Sequence, residues 1–221
     1  MTQFLGTVAV LVWKDLKLEF RSRDILVSVL VFGLLVALLF SFALKPSPGE
    51  GARLAPAILW VALAFSGTIT VTRTFVREQE QGGLEGLLLT PASRDAIFLG
   101  KALTSFLFML AVEAVLLPAF SALLAAPLLS AGIAVTAVLA TLGFATLGTL
   151  FSAIAVQTRS REIMLPVLFF PIILPLLIGA VESSAHALSG GGFSRWLPLM
   201  GVFDALFLVL CPWAFGAIME E

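Results

Sequence analysis

The sequence has a single cysteine, Cys211, and a single histidine, His186. One cysteine cannot form a disulfide within the chain, and it cannot make a paired metal-thiolate motif. One histidine likewise excludes a haem or metal site built from two histidines of the same chain. We therefore expect the chain to hold no metal and no cofactor of its own.

Motifs for nucleotide chemistry and for catalysis are also missing. The sequence has no G-x-x-x-x-G-K-[ST] loop to bind phosphates, since its Gly100-Lys101 pair lacks the preceding glycine. Serine nucleophile elbows and acid-base pairs at catalytic spacing are absent as well. We predict that the chain is neither an ATPase nor another kind of enzyme.

Charged residues are scarce, at 12% of the chain, whereas hydrophobic residues make up 60%. Ordinary soluble domains have about 25% charged and about 45–50% apolar residues. No basic patch is available to neutralise several phosphates, so nucleic acid is not an expected partner. The composition indicates an integral membrane protein in contact with lipids.

Six apolar runs are each long enough to cross a bilayer, which takes about 20 helical residues. They lie approximately at residues 25–44, 54–75, 102–124, 128–155, 163–181 and 196–218. Within lipid, a helix satisfies its own backbone hydrogen bonds. We therefore predict an all-α integral membrane protein, with six transmembrane helices in a single permease domain over residues 1–221.

Residues 1–24, ahead of the first span, show helical periodicity. Apolar residues recur at three- and four-residue steps, at Leu5, Val8, Val12, Leu16 and Phe20. Bases occupy other positions, which is typical of an amphipathic helix lying in the membrane interface. Such a helix could be an anchor only, or it could also dock a partner.

Lysine and arginine are distributed unevenly between the two sides of the predicted bundle. The N-terminal segment and the second-to-third and fourth-to-fifth connections hold ten of the 13 bases. Because basic flanks are retained in the cytoplasm, both termini and residues 76–96 are expected on that side.

Residues 76–96 interrupt the apolar pattern with a polar stretch that must face water. Two glycines end one helix, three leucines form the apolar face of a short second helix, and a proline stops it. Acidic side chains would then be available to a soluble partner. The predicted coupling residues are Glu78, Glu80, Gly82, Gly83, Leu84, Glu85, Leu87, Leu88 and Pro91. An ordinary solvated loop is the alternative interpretation.

Small residues recur every four positions in two of the predicted spans. They are Ala62, Ser66, Thr70 and Thr74 in the second span, and Ala137, Thr141, Ala145, Thr149 and Ala153 in the fourth. Such stripes let neighbouring backbones approach closely, so we predict that they pack within the bundle. A homodimer formed through such a surface remains an open alternative.

The predicted fifth span carries Pro166, Pro171 and Pro175. Each proline removes a helix hydrogen bond, so a kinked or partly re-entrant segment is expected, ending near Glu182. The prolines are candidates for a hinge, with a static bend as the alternative. A flexible loop containing His186 is expected to follow.

Two carboxyl groups, those of Glu113 and Asp204, lie inside predicted spans. Ionisable groups at membrane depth are costly and often functional, for instance in a proton relay or a substrate contact. Each could instead be a protonated carboxyl that is hydrogen-bonded to a serine, threonine or backbone carbonyl of the bundle.

Three parts of the sequence resemble one known family. They are residues 75–91, reading Phe-Val-Arg-Glu-Gln-Glu-Gln-Gly-Gly-Leu-Glu-Gly-Leu-Leu-Leu-Thr-Pro, residues 97–101, and residues 161–166 running into Pro171 and Pro175. Together with length and span count, they are similar to the heme exporter protein B (CcmB) family. The Gly-x-Leu-Glu-x-Leu-Leu-Leu-x-Pro pattern alone is shared with many ABC-2-type permeases.

The resemblance implies a permease subunit in the bacterial inner membrane. It implies a separate CcmA-like ATPase that binds ATP, CcmC-like and CcmD-like membrane subunits, and a haem chaperone similar to CcmE. Haem is then expected on a neighbouring subunit. The alternatives are an ABC-2-type exporter of a lipid, polysaccharide or drug, and a proton-coupled secondary transporter that would use Glu113 and Asp204.

Overall fold

The computed structural model describes residues 2–22, 24–44, 50–80, 86, 90, 92–157, 161–192 and 194–219. Seven long helices account for most of these residues. They are α1 (Thr2–Ser22), α2 (Asp24–Leu44), α3 (Glu50–Glu80), α4 (Arg94–Leu123), α5 (Ala131–Gln157), α6 (Arg161–Leu188) and α7 (Trp196–Ile218). Helices α2 to α7 are long and apolar enough to span a membrane, which confirms the six predicted spans.

Helix α5 lies at the centre of the bundle and packs against α3, α4, α6 and α7. Its predicted small-residue stripe is buried throughout, from Ala137 to Ala153. In α3, Ala62, Ser66 and Thr70 are buried as well, while the side chain of Thr74 lies outside the described part. The prediction that these stripes pack inside the bundle is confirmed.

Helix α1 packs mainly against α4 rather than against its neighbour in sequence, α2. Leu11 and Val12 are buried, whereas Trp13 is 71% exposed. A Cβ atom placed on Gly100 would lie 3.1 Å from Leu11 Cβ, so Leu11 would have to shift by a few tenths of an ångström to accommodate a larger residue. The N-terminal segment is thus a helix that packs against the third span.

Several predicted span boundaries were wrong. The third span begins at Arg94 instead of residue 102, and the fourth begins at Ala131 instead of residue 128. The fifth span continues to Leu188 instead of ending near Glu182. The third and fifth spans were predicted too short because polar residues lie at these ends; in the structure Ser93 caps the start of α4, and Ser183 and Ser184 are buried within α6.

The fifth span also contradicts the prediction of a partly re-entrant segment. Helix α6 runs without a break from Arg161 to Leu188, through the positions of Pro166, Pro171 and Pro175. Helix α6 packs against α3, α5 and α7, and neighbouring helices of this kind allow a transmembrane helix to tolerate proline.

Candidate functional site

The end of the bundle at which α3 ends at Glu80 and α4 begins at Arg94 is called here the proximal end, and the opposite end the distal end. The connection between these helices contains most of the predicted coupling residues. Gly82, Gly83, Leu84, Glu85, Leu87, Leu88 and Pro91 lie outside the described residues, as do the side chains of Glu78 and Glu80. Their coupling role stays a prediction, while the two flanking helix ends are described in detail.

The start of α4 is fixed by a helix cap and by a contact to α7. The Ser93 hydroxyl accepts a hydrogen bond from the Ala96 N–H at 3.3 Å, which satisfies one free donor of the first turn. The Arg94 guanidinium donates to the Gly216 carbonyl at 3.0 Å, near the end of α7. Cations interact favourably with such helix ends, so this contact ties α4 to α7.

Three buried phenylalanines join α3, α4 and α7 at the proximal end. The ring centroid of Phe215 lies 5.7 Å from that of Phe75 and 5.5 Å from that of Phe98. All three side chains are 0% exposed. Rings at these separations are attractive beyond the effect of burying their area. Phe75, Phe98 and Phe215 are called the proximal cluster below.

A buried ion pair attaches α1 to the same region. Lys101 Nζ lies 2.7 Å from Asp15 Oδ2, and the two side chains are only 4% and 13% exposed. The ammonium group also lies 5.8 Å from the centroid of the Phe75 ring, within cation–π range. Sequence reasoning counted Lys101 as a cytoplasmic loop residue and missed this pair. Its position between apolar residues was the available signal, whereas its pairing with Asp15 could not be read from the sequence.

These contacts make the two helix ends beside residues 81–93 parts of one assembly. Phe75 and Phe98 are joined through Phe215, and the Phe75 N–H lies 3.4 Å from Ser152 Oγ on α5. A displacement of the connection would therefore be passed to several helices together. Packed helices that move as rigid bodies are a common means of transmitting such a displacement.

The two intramembrane carboxyl groups have different surroundings. Glu113 is 2% exposed and its Oε1 accepts a hydrogen bond from the Thr141 hydroxyl, as one of the predicted alternatives requires. Asp204 is 3% exposed, and neither of its oxygens has a hydrogen-bond partner among the described residues. The alternative of a hydrogen-bonded carboxyl is therefore not found for Asp204 among the described residues, and its Oδ1 lies against Gly143 of α5.

An apolar groove of about 420 Å³ lies between α3 and α6, toward the distal end. Trp60, Phe65 and Phe170 form part of its walls, and Glu182 lies at its edge. The Trp60 indole N–H donates to Ser184 Oγ at 2.9 Å, across the two helices. Two of the hinge candidates, Pro171 and Pro175, lie in the stretch of α6 that forms the groove. Whether they act as a hinge stays a prediction.

The potential haem or metal ligands do not form a cluster. In the described part of the chain, no group of three or more His, Cys, Asp or Glu side chains is placed to hold a metal ion. His186 is exposed near the distal end of α6, whereas Cys211 is buried in the half of α7 nearer the proximal end.

Comparison with known proteins gives a consistent result over nearly the whole chain. Residues 7–221 match the family described as CcmB protein. Heme exporter protein B of Pseudomonas aeruginosa is 28% identical over 213 residues, which cover 95% of this chain and 94% of that protein. The protein of the same name from Paracoccus denitrificans is 29% identical over 212 residues, covering 94% and 95%. That of Escherichia coli K12 is 30% identical over 209 residues, covering 93% and 94%. The chain therefore belongs to the CcmB protein family.

Proposed function

We propose that this chain is the permease subunit of an ABC-type complex that delivers haem for cytochrome c biogenesis in the bacterial inner membrane. Its similarity to proteins named heme exporter protein B supports this proposal, because it extends over at least 93% of the chain in each comparison. The observation that carries the coupling mechanism is the proximal cluster, with its ties to both helices that flank residues 81–93.

ATP is bound and hydrolysed by a separate CcmA-like subunit, since this sequence has no phosphate-binding loop. That subunit contacts the coupling residues between α3 and α4 and shifts them when it closes on nucleotide. Helices α3 and α4 then move together with α7, because aromatic packing and the Arg94 contact join their ends. The ion pair between Asp15 and Lys101 carries α1 along.

Haem is the substrate of the complex rather than a resident cofactor of this chain. One histidine and one cysteine, near opposite ends of the bundle, do not make a two-ligand iron site. In our proposal, a CcmC-like subunit with a CcmD-like partner holds the haem. The movement of α3 and α4 then releases a haem-loaded, CcmE-like chaperone on the outer side of the membrane. Both termini of this chain lie in the cytoplasm in this proposal.

Substitutions in the coupling segment test this function. We expect Glu80→Ala, or Leu84→Ala combined with Leu88→Ala, to reduce co-purification of the ATPase subunit and to lower the cytochrome c content of the cells. The physical reason is that the glutamate supplies charge to the soluble partner, and the leucines seat the short helix in the membrane interface. Pull-down of the tagged chain and haem staining of cytochrome c measure the two effects.

Leu129→Ala is the matched control, because Leu129 is 68% exposed and lies between α4 and α5 at the distal end. It should change neither quantity. If the coupling variants keep wild-type ATPase association and wild-type cytochrome c, the coupling mechanism is wrong. If a different ATPase and no haem-containing partner co-purify with the wild-type chain, the chain exports another substrate.

A further inference from the structure

Glu113 of α4 and Ser66 of α3 leave polar atoms unsatisfied inside the bundle. Both residues are 2% exposed. Glu113 Oε1 accepts the Thr141 hydroxyl, but Glu113 Oε2 and Ser66 Oγ have no hydrogen-bond partner among the described residues. A buried polar atom without a partner is costly, and within a bilayer no lipid tail can supply one.

Two small cavities border Glu113, each of about 10 Å³. The first lies between α3 and α4, where Ser66, Thr70 and Met109 also line it. The second lies toward α5, where Thr141 and Met109 are among the lining residues. A cavity of about 10–15 Å³ holds one water molecule, provided that two to four polar groups surround it. The first cavity has the minimum volume and is lined by Glu113 and Ser66, which carry two polar atoms without a partner among the described residues. The Thr70 hydroxyl already donates to the Ser66 carbonyl, so the two unpartnered atoms are the groups that would hold the water.

We propose that the first cavity is a buried hydration site, in which one ordered water joins Glu113 Oε2 to Ser66 Oγ and so connects α3 with α4. The water donates to the free carboxyl oxygen and bonds the serine hydroxyl, which satisfies both orphaned atoms. A larger ligand does not fit. The cavity volume of about 10 Å³ is that of a single water position.

The second cavity provides a route by which this water exchanges. Trp60, Ala64 and Leu177 line it, and the same three residues line the groove between α3 and α6. These three side chains therefore form a wall shared by the groove and the second cavity. Water reaches Glu113 when these side chains move, passing from the groove to the second cavity and then to the first.

Radiolytic hydroxyl-radical labelling of the full chain in lipid nanodiscs tests the site. Radicals formed from a bound water oxidise nearby side chains, and methionine is converted to its sulfoxide. Met109 lines both cavities although it is only 5% exposed. Met200 is the matched control, since it is 0% exposed and borders neither cavity. Mass spectrometry should find Met109 oxidised and Met200 protected.

Variants then identify the groups that hold the water. Ser66→Ala removes one hydroxyl and should reduce Met109 oxidation to the Met200 level, as should Glu113→Leu. Glu113→Gln keeps a polar end group of the same shape and should retain the labelling. Ser66→Ala changes a single atom, so it remains informative even if Glu113→Leu fails to fold.

Two results would overturn the proposal. Met109 could be as protected as Met200 in the wild-type chain, or its labelling could be unchanged in Ser66→Ala. A third result would replace water by a cation. In that case sodium chloride, compared with choline chloride, would raise the Tm of the wild-type chain but not that of Glu113→Gln.

Discussion

Removing the carboxylate of Asp15 provides the sharpest test of how α1 is attached. In Asp15→Asn, the Lys101 ammonium group stays in a site where its side chain is only 4% exposed, and it loses the partner at 2.7 Å. Breaking a buried pair on one side costs up to about 3–5 kcal/mol, and Lys101 keeps its contact with the Phe75 ring after the change. Asp15 itself is 13% exposed, so we expect the lower end of that range, about 3 kcal/mol.

The reverse variant, Lys101→Met, should cost less, about 1–2 kcal/mol. The remaining carboxylate is closer to water, and Lys14 Nζ lies 3.2 Å from Asp15 Oδ1. The double variant should be no less stable than Asp15→Asn alone, since Lys101→Met then removes the buried charge whose carboxylate partner is already gone. The double-mutant cycle should therefore give a coupling energy of at least about 1–2 kcal/mol, roughly a 5- to 30-fold change in the unfolding constant.

The assay is denaturant-induced unfolding of the full chain in mild detergent, in which the loss of helix content is measured. Lys14→Met is the matched control, because it also removes a cation close to Asp15. The Lys14 side chain is 45% exposed. That change should cost at most about 1 kcal/mol. The reasoning is refuted if Asp15→Asn and Lys14→Met destabilise the chain equally, or if the two changes at Asp15 and Lys101 are simply additive.

Two further predictions concern Gly143 and the two potential haem ligands. Gly143→Ala should destabilise the chain by about 1–3 kcal/mol in the same unfolding assay, because overpacking forces side chains to shift. The new Cβ would lie 2.7 Å from Leu176 Cδ2 and would collide with the Asp204 carboxyl. Replacing His186 and Cys211 together by alanine should leave haem delivery largely intact, as measured by haem-stained cytochrome c.

Each of these predictions has a clear contrary outcome. Gly201→Ala is the control for the glycine variant, since a Cβ there meets nothing within 4 Å. Equal effects of the two alanine substitutions would mean that α5 and α7 are less tightly packed than described. For the double replacement, loss of haem transfer in a complex that still assembles would show that this chain ligates haem iron.

The six spans could be predicted from the sequence because the length and hydropathy of each segment are local properties. The helix boundaries could not, because they depend on partners far away in sequence. The buried Lys101 of α4 is paired with Asp15, which lies 86 positions earlier in the sequence. Ser184 resembles a loop residue until Trp60 is placed beside it, 124 positions away.

The candidate site was predictable to a similar degree. Glu113 stood out as a carboxyl inside an apolar run, and Thr141 was identified as a small packing residue. Their hydrogen bond depends on the register between α4 and α5, which periodicity does not give. The proximal cluster also went unnoticed, because phenylalanine is common in this chain, with 19 residues, and no single ring is distinctive.

The two helices that form the apolar groove differ in their backbone hydrogen bonding. On α6, Pro171 and Pro175 each lack the N–H that would brace the preceding turn, whereas the facing stretch of α3, residues 57–65, contains no proline. A helix that lacks some of its backbone hydrogen bonds bends at a lower free-energy cost than one that has all of them. If the groove widens, we therefore expect α6 to bend more readily than the facing stretch of α3.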